Sequence, residues 1–283
     1  MKRLILVTLG IAAPLAASAD MVSLSERSLT EVTAQDGVNI NLDVNVSVGE
    51  IRYIDTAENG DGDGGGLSIN DITLTGANKT DFFGNASVIT DPSSNIDNIS
   101  IQVDTFENDR VTIYVTPLVD QYVDFQVTTG PVNIVDIDGN TSVNLINSLS
   151  LTGLLGSMYA EILEENSDGQ RTAAQINLEL QFAIEDLDID ASSLGIRINN
   201  AFVCGSECIE SMRANGGRVD MSDAMVNIAG VIKTETNKAI IDLEPFVIDA
   251  GIGSLIIGGG NVGSFMFDDI SLGNSVTTIS GKE

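Results

Sequence analysis

Leu67-Ser68-Ile69-Asn70-Asp71-Ile72-Thr73-Leu74 is the stretch that decides the fold class. Apolar and polar residues alternate, two polar residues intervene at Asn70-Asp71, and the alternation resumes in the opposite phase. Side chains at i and i+2 of a strand share a face, so this gap throws the apolar set to the other face. A bulge, a tight turn or a corner between short strands restores a single face. The same grammar recurs at Val46/Val48/Ile51/Tyr53, Phe182/Ile184/Leu187/Ile189, Ile196/Ile198/Ala201/Val203, Ile241/Leu243/Phe246/Ile248 and Phe265/Phe267/Ile270/Leu272. These positions predict an all-β fold: a large, curved or sandwich-like antiparallel sheet. A β-solenoid is the alternative, because solenoid corners also shift phase. The first residues of the six matches, 46, 67, 182, 196, 241 and 265, follow no steady step, which favours the curved sheet.

Outward from this stretch the period stays at two. Val38, Ile40, Leu42, Val44, Val46 and Val48 alternate with Asn, Asp and Ser, the pattern of an antiparallel sheet wetted on one side. Strands are expected at 67–76, 87–90, 96–106, 110–116, 121–135, 218–233 and 239–249. The punctuation is Asp91-Pro92, Glu107-Asn108-Asp109, Pro117, Gly130-Pro131 and Thr236-Asn237-Lys238. Residues 145–165 carry two signals. Leu151, Leu154, Leu155, Met158, Tyr159, Ile162 and Leu163 fit a helical stripe. Gly153, Gly156 and the turn-like Asn166-Ser-Asp168-Gly169 argue instead for a hairpin of 157–165 with 172–184, and the hairpin is the reading adopted. Short helices are expected at 24–36, ended by Gly37, and over Ile209–Ala214, ended by Asn215-Gly216-Gly217.

Lys2-Arg3, the apolar run Leu4–Ala13 and Ala17-Ser18-Ala19 ahead of Asp20 form a signal peptide with an A-x-A site. The expected organisation is therefore a signal peptide, 1–19, one β-rich domain, 20–273, with a change of packing near 140–150, and a solvated tail, 274–283. No transmembrane segment is expected in the mature chain, since no later stretch has the roughly 20 apolar residues a spanning helix needs. The product is placed extracellularly, at the cell surface or in the periplasm. With 41 acidic and 13 basic residues the formal charge is −28, which repels nucleic acid and anionic membranes and suits cations. His and Trp are absent, so Ser–His catalysis is excluded and the commonest sugar-stacking platform is missing. Acidic residues are too abundant for any pair of them to mark a polysaccharide-acting enzyme.

Two constellations carry chemistry. Cys204 and Cys208, the only cysteines, are expected to form a local disulfide; a zinc site would lack soft ligands. Asn59-Gly60-Asp61-Gly62-Asp63-Gly64 matches the opening of a calcium loop, but its twelfth position is Asn70 and strands flank it. The full motif is therefore rejected in favour of a looser calcium site using Asn59, Asp61, Asp63 and Asp71. The alternative is a solvated acidic hairpin loop. The doublets Asn70-Asp71, Glu185-Asp186 and Asp268-Asp269 read first as polar corner positions and second as a carboxylate ladder for cations. Gly258-Gly-Gly260-Asn-Val-Gly263 reads as strand-corner glycine, not a phosphate cradle, having no following helix and no Lys.

The head, Leu29-Thr-Glu-Val-Thr-Ala-Gln-Asp36-Gly37-Val with Ile51-Arg-Tyr53-Ile-Asp55 and a Gly/Asp loop, resembles an uncharacterised family of exported proteobacterial proteins. Some of its members are labelled as pilus-assembly or fimbrial proteins. The resemblance is clearest over 24–76, and the family's usual Gly before Gln-Asp is Ala34 here. It implies location and a surface role, and carries over no catalytic residue. The expected function is non-enzymatic: adhesion, fimbria-like assembly or matrix, with other cell-surface or pilus-like proteins as partners. The alternative is a carrier of lipid or another apolar ligand; a polysaccharide-acting enzyme comes third.

Overall fold

The structure, a computed structural model, describes residues 37–55, 64–106, 110–167, 170–235 and 238–280. Sixteen strands are joined in one antiparallel sheet that does not close into a barrel. In chain order they are β1 (Val38–Val44), β2 (Val46–Asp55), β3 (Gly65–Thr75), β4 (Ile96–Phe106), β5 (Arg110–Pro117), β6 (Val123–Thr129), β7 (Val132–Asp136) and β8 (Thr141–Ile146). There follow β9 (Ser148–Ser167), β10 (Gln170–Ala191), β11 (Ile196–Gly205), β12 (Val226–Glu235), β13 (Lys238–Leu243), β14 (Phe246–Ile257), β15 (Gly260–Leu272) and β16 (Ser275–Ser280). Two short helices, α1 (Cys208–Ala214) and α2 (Met221–Ala224), lie between β11 and β12. Among the described residues every ladder is antiparallel, which removes the solenoid.

The spine is the β9–β10 hairpin, of 20 and 22 residues, paired from Ser167↔Gln170 to Ser148↔Asp190. The glycines and the turn grammar therefore outweigh the helical stripe at 151–165. That stripe arises because both faces of β9 carry apolar residues. The sheet forks along this spine. Near its open end β9 pairs β6 and β10 pairs β11; past Gly156 the partners become β5 and β12. The fork coincides with a slip in register between Leu180↔Met158 and Phe182↔Leu155. Gly156 sits at this slip, beside the Gln181 side chain.

The wedge opened by the fork is filled by the segments joining β3 to β4 and β11 to β12. Phe82, Phe83 and Ile89 from the first, and Cys208, Val219, Ala224 and Met225 from the second, pack with Leu154, Ala183, Cys204 and Tyr122. Glu185 anchors the plug: its carboxylate accepts the Phe83 N–H at 2.6 Å and pairs with Lys79, whose ammonium lies 4.6 Å from the Phe82 ring. This overturns two expectations. Residues 87–90 form no strand, because Val88 and Ile89 both donate to Thr80 O and Ile89 turns into the core. Residues 218–225 likewise fold as a loop and α2, with Val219 buried. The segment expected as a tail, 274–283, pairs over Ser275–Ser280 with β13, although all six residues are exposed. The expected helix at 24–36 lies outside the described residues.

Five of the six phase shifts fall inside single strands, β2, β3, β10, β11 and β15; the sixth spans Glu244-Pro245, between β13 and β14. The device is specific. Each Asx–Asx doublet among the described residues, Asn70-Asp71, Asp97-Asn98, Asn199-Asn200 and Asp268-Asp269, has its second residue at positive φ, between 49° and 58°. Asn and Asp tolerate this left-handed backbone better than other side chains do, and a left-handed residue within a strand returns the alternation to its former face. One apolar row consequently crosses eight strands: Val46, Leu74, Val127, Leu151, Leu187, Ala201, Ile252 and Phe265 face one another in sequence. Beyond the fork a second row crosses six, Ile40, Ile101, Val115, Met158, Leu180 and Ile228. On the opposite face of this second flank lie Asn39, Gln102, Tyr114, Tyr159 and Glu179.

Candidate functional site

Of the expected calcium ligands, Asn59, Asp61 and Asp63 lie outside the described residues. Asp71 is exposed on β3 at φ 49°, in the left-handed region. Its neighbour Asn70 fastens this corner to the β6–β7 turn, donating from its backbone N–H to Pro131 O at 3.1 Å and from Nδ2 at 3.0 Å.

The structure brings together a different acidic group. Opposite Asp249 on β14, β15 places two residues, Asp268 and Asp269, since Ile248↔Ile270 and Ala250↔Phe267 bracket them. Carboxylate oxygens of Asp249, Asp268 and Asp269 lie within 4.8 Å of one another, and this cluster could hold a metal ion. Asp249 is fully buried and already engaged: Oδ2 accepts the Ile209 N–H at 2.8 Å and Oδ1 the Asp269 N–H at 2.9 Å. The first bond satisfies one of the orphan donors at the start of α1, which has no side-chain cap of its own. Asp268 Oδ2 accepts Arg213 Nη1 at 2.7 Å, so one oxygen of the cluster is held by a cation of the same chain. The doublet Asp268-Asp269 was legible as a corner; Asp249 was not, since its partner across the ladder is set by a register that sequence does not display. Beside this cluster Cys204 and Cys208 are disulfide-bonded with Cα atoms 6.0 Å apart, both fully buried.

Two grooves mark the opposite faces. An apolar groove of about 410 Å³ lies across β10, β11, β14 and β15, lined by Leu187, Ile198, Val203, Ile252, Phe267 and Ile270. A mixed groove of about 570 Å³ lies on the second flank, with Tyr114, Tyr159, Glu179, Gln181, Asn227 and Glu244 on its walls. The Tyr114 and Tyr159 rings stand 4.8 Å apart at 41°. Burial, followed by the charge of Glu161, pushes the Tyr159 phenol up from its ordinary value. Asp186, at the β10 phase shift, is also raised, by burial and then by Asp188 and Glu185. Among the described residues, no helix is long and apolar enough to cross a membrane.

Residues 1–107 match the model of a family of unknown function (DUF6160), a span that contains the head and the doublets at 70–71 and 97–98. No curated protein and no solved structure matches the chain.

Proposed function

We propose that this is a non-enzymatic exported protein of the cell surface or extracellular matrix, acting in adhesion or fimbria-like assembly. The observation that supports it best is the eight-strand apolar row, which ends in the open at Val46, 42 % exposed, and Phe265, 38 % exposed. A sheet that keeps one face apolar over this width, and leaves both ends of the row open, is suited to docking against another apolar surface. Export is supported by the Lys2-Arg3, Leu4–Ala13 and Ala17-Ser18-Ala19 signal and by the buried disulfide. The pilus and fimbrial labels borne by proteins resembling the head support the assembly role. The test combines location with docking. Membrane-impermeant biotin on intact cells should label the protein, and Phe265→Asp should reduce its retention on cells without lowering Tm. Recovery only by osmotic shock, or equal retention of the variant, would sink this reading.

The groove of about 410 Å³ favours a second reading, a carrier of a lipid or another apolar ligand. A fluorescent fatty acid should then bind the purified protein and lose at least tenfold in affinity in Phe267→Asp; no binding removes the carrier. As cofactor we infer calcium, held weakly by oxygen ligands in the Asn59–Asp71 region or at Asp249, Asp268 and Asp269. Calcium accepts the irregular oxygen shells that magnesium refuses.

A further inference from the structure

A sheet of sixteen strands that is not a barrel must end somewhere, and its ends differ in kind. Among the described residues five strands have one neighbour only: β1, β2, β8, β15 and β16. Open edges invite pairing with other chains unless charge, proline or a bulge spoils them. Four are spoiled. β1 carries Asp43 and a register shift at Leu42/Val44, and β2 carries Glu50, Arg52 and Asp55. The ladder of β8 with β7 slips twice, and β15 carries Asp268, Asp269 and several register shifts. The fifth, β16, is Ser275-Val-Thr-Thr-Ile-Ser280: no charge, no proline, no glycine, and a ladder with β13 that runs without a shift. All six residues are exposed, Val276 at 63 % and Ile279 at 58 %.

We propose that β16 is the site at which a second copy of this chain adds, strand against strand and antiparallel, so that the sheet continues through the dimer. This rests on the assembly reading above and names its partner. Two arguments select a second copy. The first is charge. Molecules of net charge −28 repel each other over most of their surface, but β16 carries no charge and the strand beside it, β13, carries one of each sign, Lys238 and Asp242. A basic partner would be drawn to the acidic surface; the charge-poor edge is where another acidic molecule can approach. The second is self-complementarity. A two-fold antiparallel pair sets one residue opposite its own copy, and at the middle of β16 that residue is Thr277 or Thr278. The flanking pairs are then Val276 with Ser280 and Thr277 with Ile279, or Val276 with Thr278 and Ser275 with Ile279. Both registers match β-branched residues and hydroxyls, and neither opposes two charges.

The test is the mass of the full purified protein by light scattering at tens of micromolar. A dimer is expected. Its fraction should rise as NaCl goes from about 0.01 M to about 1 M, which shortens the Debye length from roughly 30 Å to 3 Å and screens the repulsion. The double substitution Thr277→Lys, Thr278→Lys should give a monomer with unchanged Tm, because both side chains are exposed. Ser142→Lys, Val143→Lys on the β8 edge should leave the dimer intact. Thr277→Cys and Thr278→Cys, each alone, give a reading that does not depend on tolerance of lysine: one of them should cross-link into dimers with a short thiol reagent. A monomer at every salt concentration overturns the proposal, as does a dimer that survives the lysine pair or yields to the β8 pair. Biotin labelling on intact cells together with a monomeric mass would reject β16 pairing and leave the surface reading standing.

Discussion

Asp249 shows how one side chain can close a corner of the fold. It is fully buried, yet each oxygen meets a backbone N–H, from Ile209 on α1 and from Asp269 at the β15 bulge. Asp249→Asn keeps the volume but turns one acceptor into a donor facing an N–H, so about 1–3 kcal/mol should be lost. Urea unfolding should show the loss as a lower midpoint at constant slope. Asp124 tests burial in another way. It lies on β6, 3 % exposed, and accepts the Asn78 N–H at 3.0 Å. Burial is the largest influence on it and raises its pKa from the ordinary value. The folded state therefore holds this proton to higher pH than the unfolded chain does. The associated stability is complete below the unfolded carboxyl range, near about pH 4, and is lost as pH climbs through the raised value. The Tm of the wild type relative to Asp124→Asn should accordingly fall as pH climbs from about 4 through the raised value; a constant difference would rule out this titration.

At the scale of elements, strands were legible where alternation was clean and turn residues bounded them. Residues 96–106 form β4 as expected, and the Asn166–Gly169 grammar located the central hairpin against a competing helical stripe. Residues 87–90 and 218–225 escaped for a common reason. Their apolar residues, Val88, Ile89, Val219, Ala224 and Met225, plug the wedge below the fork, and a few apolar residues buried in a plug read like those of a short strand. The acidic cluster was half legible: Asp268-Asp269 announced a bulge, while Asp249 became its partner only through the β14–β15 register. The bulges make a prediction of their own. At φ 52°, Asn200 occupies backbone that costs an ordinary L-residue roughly 1–2 kcal/mol. Asn200→Gly should be close to neutral, and Asn200→Val should destabilise by at least that amount, because a branched Cβ fits the left-handed region worst. Equal stability of the two variants would mean that the strand had slipped and reset its phase without the bulge.

For the whole molecule the governing quantity is its charge of −28, which opposes compaction and makes any cation stabilising in a diffuse way. A specific calcium site has to be separated from that background. If calcium binds in the extracellular-module range, with Kd about 10⁻⁴–10⁻³ M, then at ten times Kd it contributes about 1.4 kcal/mol, a readable shift in Tm. The comparison needs three proteins, each measured in calcium and in sodium at matched ionic strength. Diffuse screening raises Tm equally in all three. A site at the acidic loop raises the wild type and Asp268→Asn, Asp269→Asn but not Asp61→Asn, Asp63→Asn. A site at the β14–β15 bulge reverses that order, although the Asp268 and Asp269 substitutions also release Arg213 from its 2.7 Å bond. Arg213 is itself largely exposed, so losing the pair alone should cost well under 1 kcal/mol and leave the calcium increment legible. The expected result is a calcium-specific increment that survives in one doublet variant and vanishes in the other; an increment in all three makes the acidity of this chain a matter of solubility alone.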